Sequence, residues 1–146
     1  MRNAELRGKF RNCKSDIPHN KTFKEVCYMK ENNAILDKSK HFALRIIKLY
    51  KYLTTEKREY VLSKQILRSG TSIGANAREA VRGQSSADFY AKFNISLKEA
   101  EETIYWLELL HESDYIEAKH FESIYNDCME LIKILVSITK KQKVES

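Results

Sequence analysis

The 146-residue sequence contains one proline, Pro18, and only four glycines. From Asp37 onward it has no proline. Long uninterrupted helices are therefore permitted, and a fold of many short strands and tight turns, which needs both residues in number, is excluded. Cysteine is scarce too. Cys13, Cys27 and Cys128 form an odd set without C-x-x-C spacing. That argues against a disulfide framework or a cysteine-built zinc site and fits a reducing cytoplasm. No apolar run approaches the roughly 20 residues of a membrane-spanning helix. The opening residues, with Arg2, Glu5, Arg7 and Lys9, hold no apolar stretch of the kind a secretory signal needs. G-x-S-x-G, P-loop and G-x-G-x-x-G motifs are absent, so nothing points to an acyl-transfer nucleophile or a nucleotide cofactor.

Charge is abundant, and its distribution is uneven. The formal net charge is +6. Residues 1–28 hold seven Lys/Arg against three acids, and residues 37–82 hold eleven against four. Residues 83–130 reverse the sign, with three basic residues and eleven acids, and residues 131–146 return to four against one. The chain is thus polarised along its length. Such asymmetry suits a nucleic-acid face and equally suits the pairing of basic and acidic surfaces between subunits.

Residues 1–34 lack apolar periodicity and carry Asn, Lys and His clusters, which predicts a poorly ordered basic arm. Residues 35–142 then repeat apolar side chains at alternating spacings of three and four, the helical pattern. A first helix is expected over about Lys38–Leu53, with Phe42, Ile46, Leu49 and Leu53 inward. A second is expected from about Glu56, capped by Thr55, to Arg82, with Gly83 as its left-handed C′ residue. The third covers about Ala87–His111 behind the capping pair Ser85 and Asp88, and the fourth about Tyr115–Lys141 behind Asp114 and Glu117. Short connections between helices near 37 Å long (about 25 residues) predict an all-α, antiparallel up-down-up-down four-helix bundle, with residues 143–146 as a tail.

The helices carry more apolar surface than one core stripe needs. Tyr125, Met129, Ile132 and Val136 line a second face of the fourth helix, and Tyr105 and Trp106 lie off the main stripe of the third. Contiguous exposed apolar surface is uncommon on soluble monomers, so these residues are expected to form a homo-oligomer interface.

Several motifs invite chemistry. Glu108/His111 and Glu117/His120 have the Glu-x-x-His spacing of di-iron bundles, but both flank a helix–helix turn instead of the bundle centre, so no metal is expected. Cys128 falls on a core face and reads as an inert buried thiol. Gly70-x-x-x-Gly74 costs roughly 1 kcal/mol of helix propensity per glycine, which close helix packing would offset. Ser72, Asn76 and Glu79 on the second helix and Ser96, Glu99, Glu102 and Thr103 on the third suggest a structural polar network joining the two. No partner completes a catalytic pair from these carboxylates, so no catalytic residue and no cofactor are expected. Arg45 and Lys48 on the first helix and Lys64, Arg68, Arg78 and Arg82 on the second form basic stripes that could contact phosphates.

Two segments resemble a known family. One is Gln65-Ile66-Leu67-Arg68-Ser69 continuing to Ser72-Ile73-x-x-Asn76-x-x-Glu79. The other is Ser96-Leu97-Lys98-Glu99-Ala100-Glu101-Glu102-Thr103 with Tyr105-Trp106-Leu107. From about Met29 to Lys141 the chain is similar to the four-helix proteins encoded in intervening sequences of bacterial 23S rRNA genes. The resemblance implies a homopentamer, and kinship with the accessory variability proteins of diversity-generating retroelements, basic pentamers that bind nucleic acid and a reverse transcriptase. It marks no catalytic residue. The expected partners are further copies of the chain together with RNA or DNA; a protein-interaction scaffold pairing basic with acidic faces is the alternative.

Overall fold

The computed structural model describes residues 23–141. The chain divides into two compact units, residues 1–34 and residues 35–146. Residues 1–22 of the expected basic arm and the tail beyond 141 lie outside the described residues. Four helices make up the rest: α1 (Phe23–Thr55), α2 (Leu62–Val81), α3 (Ser86–Glu112) and α4 (Ala118–Lys140). No described residue is in a strand.

Helix α1 begins well upstream of Lys38. The segment between holds no proline or glycine, so nothing in it breaks a helix. Its inward face is Ile35, Phe42, Ile46, Leu49 and Leu53. Facing it are Ile66, Ile73, Ala77 and Ala80 of α2, Phe93, Ala100, Leu107 and Leu110 of α3, and Ile124, Cys128, Leu131, Leu135 and Ile138 of α4. Each buried Ile, Leu or Phe contributes roughly 1.5–3 kcal/mol of transfer free energy.

Contacts across the helices fix their directions. Ser39 and Ile46 of α1 lie against Gly74 and Gly70 of α2. Ile73 and Ser69 of α2 bond to Ser96 and Thr103 of α3. Ala100 and His111 of α3 bond to Cys128 of α4 and to Ile116 just before it. Lys38 and Arg45 of α1 reach Glu130 and Ser123 of α4. In each interhelical set, rising numbers on one helix meet falling numbers on the next, so the bundle is antiparallel and runs up-down-up-down. Helices α1 and α3 sit on a diagonal.

Besides the start of α1, the helix ends depart from the sequence reading in three places. Thr55 does not start α2; its hydroxyl donates back to the Lys51 carbonyl (2.7 Å), inside α1. The start of α2 is capped instead by Glu59, a buried carboxylate that accepts from the amides of Val61 (3.0 Å), Leu62 (2.9 Å) and Ser63 (2.6 Å). A carboxylate satisfies these orphan donors better than a hydroxyl and complements the helix dipole. Gly83 does not take the left-handed conformation, since no glycine among the described residues has positive φ. It is small for another reason. A Cβ there would lie 3.0 Å from the Ala80 carbonyl, 3.0 Å from Asp88 Oδ2 and 3.1 Å from Phe89 N, where the first turn of α3 passes. Asp114 ends α3 and does not begin α4. It sits at φ 63°, its amide donates to His111 O (3.0 Å), and that of Tyr115 donates to Leu110 O (2.9 Å), the Schellman pattern. The expected pair at α3 is present: Asp88 N donates to Ser85 Oγ (3.1 Å), and Gln84 N donates to Asp88 Oδ2 (3.3 Å).

Two outcomes follow. A Cβ at Gly70 would meet Ile46 Cγ1 at 2.8 Å and Cγ2 at 3.0 Å. Gly70→Ala is therefore expected to lower the denaturation midpoint. Overpacking costs about 1–3 kcal/mol, more than the roughly 1 kcal/mol of helix propensity regained; an unchanged or higher midpoint would show that α1 does not depend on this approach. Burial pushes the Glu59 carboxyl up, but the amides of Leu62, Ser63 and Val61 outweigh it, so its pKa is lowered overall. A lowered folded-state pKa means stability present at neutral pH and lost as pH falls through the folded value. Urea unfolding should show the advantage of wild type over Glu59→Gln shrinking toward acid pH; a constant difference would contradict the capping role.

Candidate nucleic-acid interface

The six cations of the two basic stripes separate into two groups. Arg45 and Arg68 are engaged within the bundle. Arg45 donates to Ser123 Oγ (2.9 Å) and the Ser123 carbonyl (3.3 Å) and pairs with Asp127. Arg68 pairs with Glu99 (3.3 Å) and with Glu102. Glu102 also accepts from Trp106 Nε1 (3.0 Å). Together the indole and the guanidinium hold the Glu102 carboxyl below its usual range, while the Glu102 bond raises the Arg68 pKa. Lys48, Lys64, Arg78 and Arg82 are exposed and have no carboxylate partner among the described residues.

The helical repeat explains the division. On α2, Ser69, Ile73 and Ala80 point inward. Lys64, Arg78 and Arg82 recur at multiples of about 3.6 residues on the opposite side, so they project into solvent. Arg68 is turned toward α3, whose Glu99 and Glu102 stand one turn apart on the facing flank. Thr71 and Ala75 fill the line between the free cations without adding charge.

The α2–α3 seam beneath is hydroxyl-based. Buried Ser96 Oγ donates to the Ile73 carbonyl (2.8 Å), and buried Thr103 Oγ1 donates to Ser69 Oγ (2.9 Å). Ser72 and Asn76 bond within α2, to the carbonyls of Arg68 (2.7 Å) and Ser72 (2.9 Å). Glu79 pairs with Lys92 (2.7 Å) at the surface. Trp106 is the member not expected from the sequence, although the Glu102–Trp106 bond is signalled by its spacing of four on one helix.

The other candidates take structural positions. His111 Nδ1 lies 2.9 Å from the Ile116 carbonyl, and its ring stacks on Phe121 at 4.4 Å. His120 is exposed. Among the described residues no group of three His, Cys, Asp or Glu side chains is placed to hold a metal ion. Cys128 is fully buried, its thiol near the Ala100 carbonyl (3.4 Å), and burial, then Asp127, pushes its pKa up to about 12. Tyr105 is exposed, whereas Trp106, Tyr125, Met129, Ile132 and Val136 are half-buried. No helix among the described residues is long and apolar enough to cross a membrane.

Fold and seam together define an all-α four-helix bundle whose central helices are joined by buried hydroxyls. Residues 31–137 match the family model of the 23S rRNA-intervening sequence proteins, and the chain belongs to that family. It is similar to a crystal structure from Bacteroides thetaiotaomicron, described as a protein with unknown function from the S23 ribosomal protein family. The two are 59% identical over 75% of this chain and 98% of the other, with a TM-score of 0.75. No curated protein matches the chain.

The seam is testable. Thr103→Val keeps shape but removes the bond between the two hydroxyls, leaving Ser69 Oγ only the longer contact to the Ile66 carbonyl (3.5 Å), and is expected to cost about 1–3 kcal/mol in chemical denaturation. Adding Ser69→Ala should cost less than the sum of the two single changes. Strict additivity would mean the two hydroxyls do not interact.

Proposed function

We propose that this protein is a non-enzymatic, cytoplasmic, self-associating bundle that holds RNA or DNA by its phosphates, with little sequence preference, through the solvent side of α2. The observation that carries this reading is the row Lys64, Arg78 and Arg82, exposed and without carboxylate partners among the described residues. Cations already paired, such as Arg45 and Arg68, would have to break a bond before meeting a phosphate; these three would not. The buried polar side chains of the α2–α3 seam are occupied in holding the helices together, which supports a binding role over a catalytic one. In an oligomer, pentameric by family resemblance, the row would be repeated on every subunit, so weak individual contacts would add by avidity.

A second reading is a protein-interaction scaffold. It draws on the same matching of basic and acidic side chains that joins Arg68 to Glu99 and Glu102 within one subunit.

Fluorescence anisotropy with a structured RNA separates the two. Binding is expected to weaken steeply between about 50 and 200 mM salt, and replacing Lys64, Arg78 or Arg82 by Ala should reduce the slope of log affinity against log salt by roughly 0.7–0.9 each. No binding at about 50 mM salt, or binding indifferent to salt, would remove the nucleic-acid reading. Loss of the oligomer on charge reversal at Arg78 and Arg82, without any RNA effect, would favour the scaffold.

A further inference from the structure

The solvent sides of α1 and α3 carry the same pattern with opposite sign. Along α1, directly away from the core, stand Asp37, Lys40, Leu44 and Lys51. Along α3, also away from its core face, stand Lys98, Glu101, Tyr105 and Glu112. The spacings are identical: steps of three, four and seven residues on both helices. Every charge on one line meets its opposite on the other at the same step, including the two exceptions, Asp37 on the basic line and Lys98 on the acidic one. At the shared apolar step stand Leu44, 51% exposed, and Tyr105, 53% exposed. Lys48 and Glu108 add a further opposite pair, offset by one residue. None of the six charged side chains in the matched lines has an ion-pair partner among the described residues.

Within one subunit these lines cannot meet. Helices α1 and α3 are on a diagonal, and their outer faces look away from each other. They do run in the same direction, however. A rotation about an axis parallel to the bundle carries α3 of one copy to α1 of the next with directions preserved. Two helices placed side by side at this register would align Asp37 with Lys98, Lys40 with Glu101, Leu44 with Tyr105 and Lys51 with Glu112 over about 21 Å (14 residues at 1.5 Å each).

We infer that α3 of one copy docks on α1 of the next in this parallel register, forming a head-to-tail contact between unlike faces. Such a contact closes into a ring when the rotation permits and extends into a filament otherwise. The inference rests on the self-association in the proposed function and specifies its surfaces. It leaves the α2 row of Lys64, Arg78 and Arg82 open to solvent, so subunit docking and phosphate binding occupy different helices.

The test is disulfide trapping, with both positions exposed and so tolerant of substitution. In a Cys13→Ser, Cys27→Ser background that keeps buried Cys128, Leu44→Cys with Tyr105→Cys should give a ladder of linked subunits on a non-reducing gel. The docked positions would stand within the roughly 7 Å Cα separation that a disulfide requires. Leu44→Cys or Tyr105→Cys alone should give no ladder. Light scattering provides the second arm. Lys40→Glu with Lys51→Glu should reduce the mass toward the 17.1 kDa subunit, and adding Glu101→Lys with Glu112→Lys to that chain should restore it. A wild type that is itself 17.1 kDa removes both self-association and this contact. An oligomeric wild type with no ladder, or with linked dimers from Leu44→Cys alone, overturns the α1–α3 contact and leaves self-association standing.

Discussion

The bundle depends on how closely α1 lies against α2. At Gly70 there is no room for a Cβ, which would lie 2.8 Å from Ile46 Cγ1, and at Gly74 there is little, with Ser39 Oγ at 3.0 Å. Two glycines in a helix interior cost roughly 1 kcal/mol each. In return, Ile46 and Ser39 are both fully buried, one against each glycine. The approach also sets the rotation of α1. With Ile46 and Ser39 turned to α2, Lys38 and Arg45 face α4, where they reach Glu130, Ser123 and Asp127. The remaining face, through Lys40, Leu44 and Lys51, is left to solvent.

The second seam works by different means. Between α2 and α3 the contact includes hydroxyls, each bonded at its correct partner only in one register. Apolar packing alone tolerates small slides of one helix on another; a buried hydroxyl left without its acceptor does not. Around this seam the surface charges sort themselves. Glu99 and Glu102 on the α3 flank take Arg68, and Glu79 of α2 takes Lys92 of α3, whereas cations on the far side of α2 meet no carboxylate among the described residues. Exposed pairs of this kind contribute little stability, so their main consequence is to decide which cations remain available.

Periodicity was enough to assign four helices and most of their inner faces, because a 3.6-residue apolar repeat is a local property of the chain, but not the start of α1, which lies at Phe23 in a stretch without apolar periodicity. The Ser85–Asp88 cap was legible for the same reason. Where reading failed, the missing information lay across a turn. Thr55 looks like an N-cap, but its hydroxyl finds a carbonyl one turn back and the capping passes to Glu59, a residue whose burial no local pattern reveals. Gly83 looks like a C′ glycine but answers to the backbone of α3. Asp114 looks like the start of α4 and instead closes α3. Likewise the basic stripes could be drawn from sequence, but not the loss of Arg45 and Arg68 to acids on α4 and α3, since that depends on which helices are neighbours. Leu44 received no attention because a single apolar residue amid lysines has no periodic partner on its own helix; its counterpart, Tyr105, is on the diagonal one.

That diagonal gives the charge asymmetry of the chain its spatial meaning. The acidic stretch 83–130 is not spread over one acidic side of the molecule. Its Glu99, Glu102 and Asp127 are turned inward to the flanks of α2 and α1, where they hold Arg68 and Arg45. Glu101 and Glu112 are turned outward on α3. The same helix thus neutralises one set of cations inside the subunit and presents a second set of carboxylates away from it. The basic helices divide in the same manner, with α1 turning Lys40 and Lys51 one way and α2 turning Lys64, Arg78 and Arg82 another. A protein that only bound polyanions would gain nothing from an outward acidic helix, and one that only self-associated would not need a cation row left clear of it. Both features on separate helices are what a charged assembly requires if subunits are to meet without covering the surface they present.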